Sequence, residues 1–403
     1  MNLLGDLRDF NCDPLAAMER AAARPSHLLH MGPIAVRLVV EPAAVYTILT
    51  SASNAIGRDA IALAAARKLL GTGIATTEFA EHREHRQAIK SAFAQRVIAE
   101  HEAVVQSEAD RVFAEYGVPL KRRLEQFAIR VTARLLLGSD IEDTARIESA
   151  TNEFHTSMRT EFRSPIQAVL PDWLPTRVKG ATRRAKRELR IAVNEVLAGS
   201  HPTGSDVPSL MARFPNSTPE LVASQTTNLL VAGATTTVPF LEWMLRHLSQ
   251  RPDLVSGLQA DFENASGRII RETLRLTPPA WLVGRQAREA VDTPALKAHK
   301  GEFLYLSPYL THRSAEYWER PTEFVPERWT DGFEDALPRG AYFPFAAGSH
   351  ACLGGGIVYM EGRAILRALL NYWPDRARIE HDGFIPDPGF TLGAAGQTML
   401  IKV

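Results

Sequence analysis

The chain has 403 residues, with 46 basic and 46 acidic side chains and 45% apolar residues. Balanced charge argues against a nucleic-acid footprint, and the apolar share suffices for a large core. Two cysteines exclude both a disulfide framework and a four-cysteine zinc site.

No Gly/Ser tract, charge block or repeat marks a linker, so residues 1–403 read as one domain. The first 29 residues carry Asp6, Arg8, Asp9, Asp13, Glu19 and Arg20 and no long apolar run. They are expected to form neither a signal peptide nor a membrane anchor, and few cysteines with no leader point to a reducing cytoplasm.

In chain order, residues 34–40 predict a strand, and apolar residues at three-to-four spacing predict helices over 80–94, 98–116 and 120–137. On the first of these, His82 and Arg86 share one face, with Phe93 seven residues on. That pattern suits either a solvated basic helix or a pair of groups that hold a buried carboxylate. A further helix is predicted over 182–197, where Arg183, Arg184, Lys186, Arg187 and Arg190 read as a solvated face.

The longest helix is predicted over 217–248, opened by Ser217 and Glu220 as a capping box with Pro219 in the first turn. Its middle, Ala232-Gly-Ala-Thr235-Thr236-Thr237-Val-Pro239, is poor helix material. Small residues here serve either close packing against a neighbour or a groove beside a flat ligand. Pro239 is expected to kink this turn by clashing with the carbonyl of Thr235.

Glu272 and Arg275 lie three apart on a helical face that Pro278-Pro279 ends, either as an exposed salt bridge or, among Leu274 and Leu276, as a buried pair. Strands are predicted over 301–306 and 398–403, giving a mainly α protein with a small β portion. Between them lies Phe345-Ala-Ala-Gly348-Ser-His350-Ala-Cys352-Leu-Gly354, followed by a helix predicted over 355–370. N–H groups at the start of that helix stabilise a sulfur anion, so Cys352 is a candidate metal thiolate as well as a candidate buried structural cysteine.

The spacing Phe-x-x-Gly-x-His-x-Cys-x-Gly resembles the haem-ligand loop of the cytochrome P-450 family, with Ala346 where that family often has glycine, a substitution expected to be mild. Glu272-x-x-Arg275 and the later Pro326-Glu-Arg328-Trp329 look like the family's paired structural motifs. The resemblance implies the triangular family fold, with haem b between the longest helix and the cysteine loop. It implies Cys352 as the axial ligand of the iron. His82, Arg86, Arg285 and His350 would hold the propionates, and Gly233, Phe345, Gly348 and Gly354 would make room for the cofactor. Glu272, Arg275 and Arg328 would form a structural triad.

Thr236 would be the oxygen-groove hydroxyl. The family's acid before it is replaced by Thr235, which makes ordinary proton delivery depart from pattern. Substrate contacts would fall in residues 69–77 and 162–174, at Ala280, Trp281, Leu282 and Val283, and at Ala232, Leu392 and Gly393. The activity implied is dioxygen-dependent oxidation of a small, largely apolar or aromatic secondary metabolite, with electrons from a ferredoxin and its reductase. Alternatives are coupling, desaturation or ring closure without oxygen insertion, a peroxide-driven enzyme, and a non-enzymatic haem sensor or carrier.

Overall fold

A computed structural model describes residues 5–114, 119–163, 176–201, 203–372, 377–396 and 398–402. The principal helices are Ala60–Leu70 (α1), Phe79–Ile89 (α2), Glu102–Ala114 (α3), Leu120–Leu137 (α4), Ala145–Arg163 (α5), Arg177–Ala198 (α6), Pro219–Ser249 (α7), Phe262–Leu276 (α8) and Gly355–Tyr372 (α9). Among the described residues, no helix is long and apolar enough to cross a membrane.

The main sheet has five strands: Leu28–Met31 (β1), Ile34–Val39 (β2), Ile56–Arg58 (β3), Val283–Ala287 (β4) and Phe303–Leu306 (β5). Their order is β1-β2-β5-β4-β3, with β2 and β5 parallel and the other neighbours antiparallel. This register sets Arg58 opposite Arg285, so two cations separated by 227 positions of sequence meet across one pair of strands.

The largest core packs α7 against α4 and α9 against α3, through Phe127, Ile129, Val131, Phe240, Met244, Ile365 and Leu369. α7 is buried along most of its 31 residues because it is apolar or hydroxyl-bearing all round, as expected of a central helix. Its cap lies one residue later than expected, at Thr218, whose hydroxyl accepts from the Leu221 N–H at 3.2 Å, and not at Ser217. The helix runs uninterrupted through Pro239. The predicted helix over 98–116 is split into Gln95–Ala99 and α3. The basic run on α6 does face solvent at Arg183, Arg184, Lys186, Arg187 and Arg190.

Candidate haem-thiolate site

The cysteine loop is closed by a 2.8 Å bond from the Cys352 N–H to the Phe345 carbonyl. Gly348 has φ +67, and a Cβ there would lie 2.2 Å from the Leu49 carbonyl oxygen, so only glycine fits. At Gly354 an added Cβ would meet only the Cys352 sulfur, at 3.7 Å, which is ordinary contact. The Cys352 side chain opens to an internal cleft yet sits deep in the protein. Burial raises its thiol pKa, while the N–H groups of Gly354 and Gly355 and the Arg86 charge pull the other way. A bound metal would settle that balance by deprotonating the thiol outright.

Ala346 has φ +56, the left-handed region that disfavours a Cβ. The expectation that alanine is mild here is therefore corrected: it carries about 1–2 kcal/mol of strain. Its half-buried methyl recovers a fraction of that by packing on the β-side core. Ala346→Gly is expected to stabilise the protein by roughly 0.5–1 kcal/mol in urea denaturation. A loss of stability would show that methyl packing outweighs the strain.

The edge of the cleft is cationic. Arg58, Arg285, Arg86, His82 and His350 converge there from β3, β4, α2 and the cysteine loop. Arg86 donates to the Ala351 carbonyl at 2.6 Å, and the rings of His82 and His350 stack at 4.2 Å. Desolvation, then the arginine charges, hold His82 at a pKa of about 4. Desolvation first, then the charges of Arg58, Arg285 and Arg86, hold His350 at about 2, so both rings are neutral. Burial also lowers Arg58 and Arg285 to about 10.

Buried cations seek anions. Among the described residues Arg58, Arg86 and Arg285 make no ion pair, and buried ring nitrogens of His82 (Nδ1) and His350 (Nε2) lack partners. Two carboxylates at the rim of a flat cofactor satisfy that demand, so the residues present fit haem. Arg58 was not foreseen from the sequence, because only the β3–β4 pairing brings it beside Arg285. It binds the carbonyls of Ile74 and Ala75.

Across the cleft, α7 is buried from Gln225 to Leu248 except at Ala232, Gly233 and Thr236. Ala232 and Thr236, four apart, form one accessible face. Gly233 is corrected: a Cβ there would lie 2.2 Å from Thr132 Oγ1, so this glycine answers to close packing of α7 against α4. The Thr236 hydroxyl donates to the Ala232 carbonyl at 2.8 Å, leaving its lone pairs toward the groove. Thr235 does not share that face. It is buried, and its hydroxyl has no partner among the described residues.

One residue further, Thr237 donates at 3.0 Å to Glu361, a fully buried acid on α9. Burial pushes Glu361 up to about 8 against the opposing Thr237 bond, so it is a neutral carboxylic acid at pH 7. Glu361 was also missed: in an amphipathic helix it reads as one more surface acid.

Two cavities meet at Gly389 and Phe390. The apolar one, about 240 Å³, is walled by Ala62, Leu63, Leu70, Met158 and Leu282 and reaches Arg58 and Arg285. The polar one, about 260 Å³, lies against the Thr235 side of α7 and includes Gly393. The expected substrate residues therefore separate. Leu282 faces the apolar cavity, which Trp281 only edges: its indole is buried in the β-side core and donates to the Gly389 carbonyl at 3.0 Å. Leu392 is core, with its carbonyl bonded by Trp243. Ala280 is exposed and Val283 packs on the sheet-side core, and neither lines these cavities. From the 69–77 stretch, Leu70 and Ala75 line the apolar cavity. Residues 164–174 of the 162–174 expectation, Trp173 among them, lie outside the described residues, as do the side chains of 162 and 163.

An accessible thiol, a cationic cluster that makes no ion pair among the described residues and an accessible strip on the central helix together fit the arrangement of a haem-thiolate protein. The family model described as Cytochrome P450 matches residues 18–373, and the chain belongs to the cytochrome P450 family. It is an oxidoreductase whose cofactor is haem b. It is similar to cyclooctatin synthase from Streptomyces melanosporofaciens, at 27% identity over 94% of this chain and 90% of that protein. It is also similar to pentalenene oxygenase from Streptomyces avermitilis, at 24% identity over 88% of this chain and 84% of that one. Among solved structures it is similar to CYP175A1 from Thermus thermophilus, with TM-score 0.81, 26% identity and coverage of 98% and 96%.

Proposed function

We propose that this protein is a monooxygenase of a small, largely apolar secondary metabolite of the terpene class, with Cys352 as the residue whose thiolate would hold the haem iron. Bound haem supplies dioxygen activation at an iron whose thiolate ligand favours O–O cleavage. His82, Arg58, Arg86, Arg285 and His350 would hold its propionates through charge and N–H donors. Phe345, Gly348 and Gly354 shape the cysteine loop, and Ala232 and Thr236 form the opposite wall. Thr236, its proton held on the Ala232 carbonyl, accepts a hydrogen bond from the groove and passes a proton on by rotating.

The observation that carries the substrate class is the apolar cavity that ends at the cationic cluster. The names of the relatives, pentalenene oxygenase and cyclooctat-9-en-7-ol 5-monooxygenase, support it. Electrons come from a ferredoxin and its reductase in the cytoplasm under this reading. Cyclic terpenes are expected to displace water and shift the Soret band of the ferric protein, and the product is expected to carry label from labelled dioxygen. Turnover with peroxide alone would overturn the partner assignment, and unlabelled product would overturn oxygen insertion.

Thiolate ligation has its own check. The reduced protein with carbon monoxide is expected to show the red-shifted Soret band of thiolate ligation, and Cys352→Ser to lose it. A normal band in that variant would remove Cys352 from the site.

A further inference from the structure

We propose that the polar cavity between α4, α5, α7 and the 387–393 segment is a hydrated proton inlet, with Glu125 as its proton-loading carboxyl and Thr235 as its inner terminus. This rests on the haem-thiolate reading above and accounts for a chain that has threonine where the family's acid stands.

The cavity grades from surface to core. Lys121, Asn152 and Thr156 are exposed at its mouth, Glu125, His155 and Asp387 are half-buried, and Ala234, Thr235, Val238 and Glu242 are buried at its floor. Its volume of about 260 Å³ has room for several waters, and its wall is polar enough to hold them.

The floor supplies two groups that ask for water. The first is the Thr235 hydroxyl, 2% exposed and without a partner among the described residues. The second is the Thr235 carbonyl. Its regular donor would be the N–H of residue 239, which is proline, and Pro239 lines the same cavity. A residue whose hydroxyl and carbonyl both lack regular donors, facing a polar cavity, marks where a water chain docks. Thr236, the next residue, faces the haem cleft. The 100° step between successive helix positions thus puts Thr235 on the water side and Thr236 on the oxygen side of one turn. Pro239, expected to kink the helix, acts here by freeing a carbonyl.

Glu125 is suited to load the inlet. It sits between mouth and floor, and burial raises its pKa. Lys121 and Arg122 on its own helix oppose that rise, while Glu148 on α5 and Glu242 on α7 reinforce it. Asp387 and His155 also face the cavity. Glu242 is a poorer candidate, since Arg246 and Thr398 engage its carboxylate at 3.1 and 3.0 Å. In each cycle the Glu125 carboxyl gives its proton to an inward water and takes one back from solvent at the mouth. The net result is one proton moved from bulk water to the Thr235–Thr236 turn, with no change in oxidation state.

The test uses the haem-loaded enzyme and its Glu125→Gln, Glu125→Asp, Thr235→Val and Glu361→Gln variants. A high-resolution structure of the parent is expected to show ordered waters on the Thr235 hydroxyl and carbonyl. A dry cavity, or one filled by an organic molecule, overturns the inlet. Peroxide released per reductant consumed is expected to rise with pH in the parent. Glu125→Gln should raise it several-fold and flatten its pH profile, Thr235→Val should raise it, and Glu125→Asp should restore the parent profile. An unchanged profile in Glu125→Gln, or a profile abolished only by Glu361→Gln, overturns the inference. Absence of the thiolate–carbon monoxide band in the parent would instead overturn the underlying reading.

Discussion

Glu272→Ala is expected to abolish folded, haem-loaded protein. Glu272 is fully buried and accepts two bonds from Arg275, at 2.9 and 2.8 Å, in a bidentate pair. It also accepts from the Arg328 guanidinium at 3.2 Å, from the Val325 N–H at 2.8 Å and from the Trp329 indole at 2.8 Å. Removing the carboxylate strands two buried guanidinium groups and two further donors, the Val325 N–H and the Trp329 indole. Breaking a buried pair of this kind costs about 3–5 kcal/mol, against a total stability of about 5–15 kcal/mol. Arg275 keeps the carbonyls of His312, Pro321 and Glu323, but these do not neutralise it. The measurement is soluble haem-loaded yield and the urea midpoint. A variant that loads haem and unfolds like the parent would reduce the cluster to a polar decoration.

The same cluster shows what was legible in the sequence and what was not. Glu272, Arg275 and Arg328 were readable because their spacing and the Pro-Glu-Arg loop are local patterns that fold as written. The cysteine loop was readable for the same reason. Its neighbours were not. Arg58 joins the site through a strand pairing that sequence cannot register, and Phe390 reaches both cavities from a short hairpin. Gly233 looked like space left for a cofactor, yet its reason lies on α4, at Thr132. Ala346 looked mild because residue type was visible and backbone angle was not. Local chemistry was recoverable, whereas the direction a residue faces needed the packed helices.

Glu361 gives the second large effect, and its sign runs against that of most carboxylates. Folding raises its pKa from the ordinary 4.5 to about 8, because burial disfavours the charge more than the Thr237 bond favours it. Below pH 4.5 both the folded and the unfolded chain hold the proton, and the contribution to stability is fully present. Between 4.5 and about 8 the unfolded chain releases the proton and the fold retains it, so stability falls as pH rises. The total is on the order of 5 kcal/mol and levels off above about pH 8. Glu361→Gln keeps a neutral group whose oxygen still accepts from Thr237, so it is expected to lose this slope. Urea denaturation of both proteins at pH 5 and pH 9 reads the difference directly. The parent should be less stable than the glutamine variant at pH 9 by several kcal/mol more than at pH 5. Equal pH dependence would mean that Glu361 ionises freely in the fold, and that the acid beside the oxygen groove is a carboxylate at neutral pH.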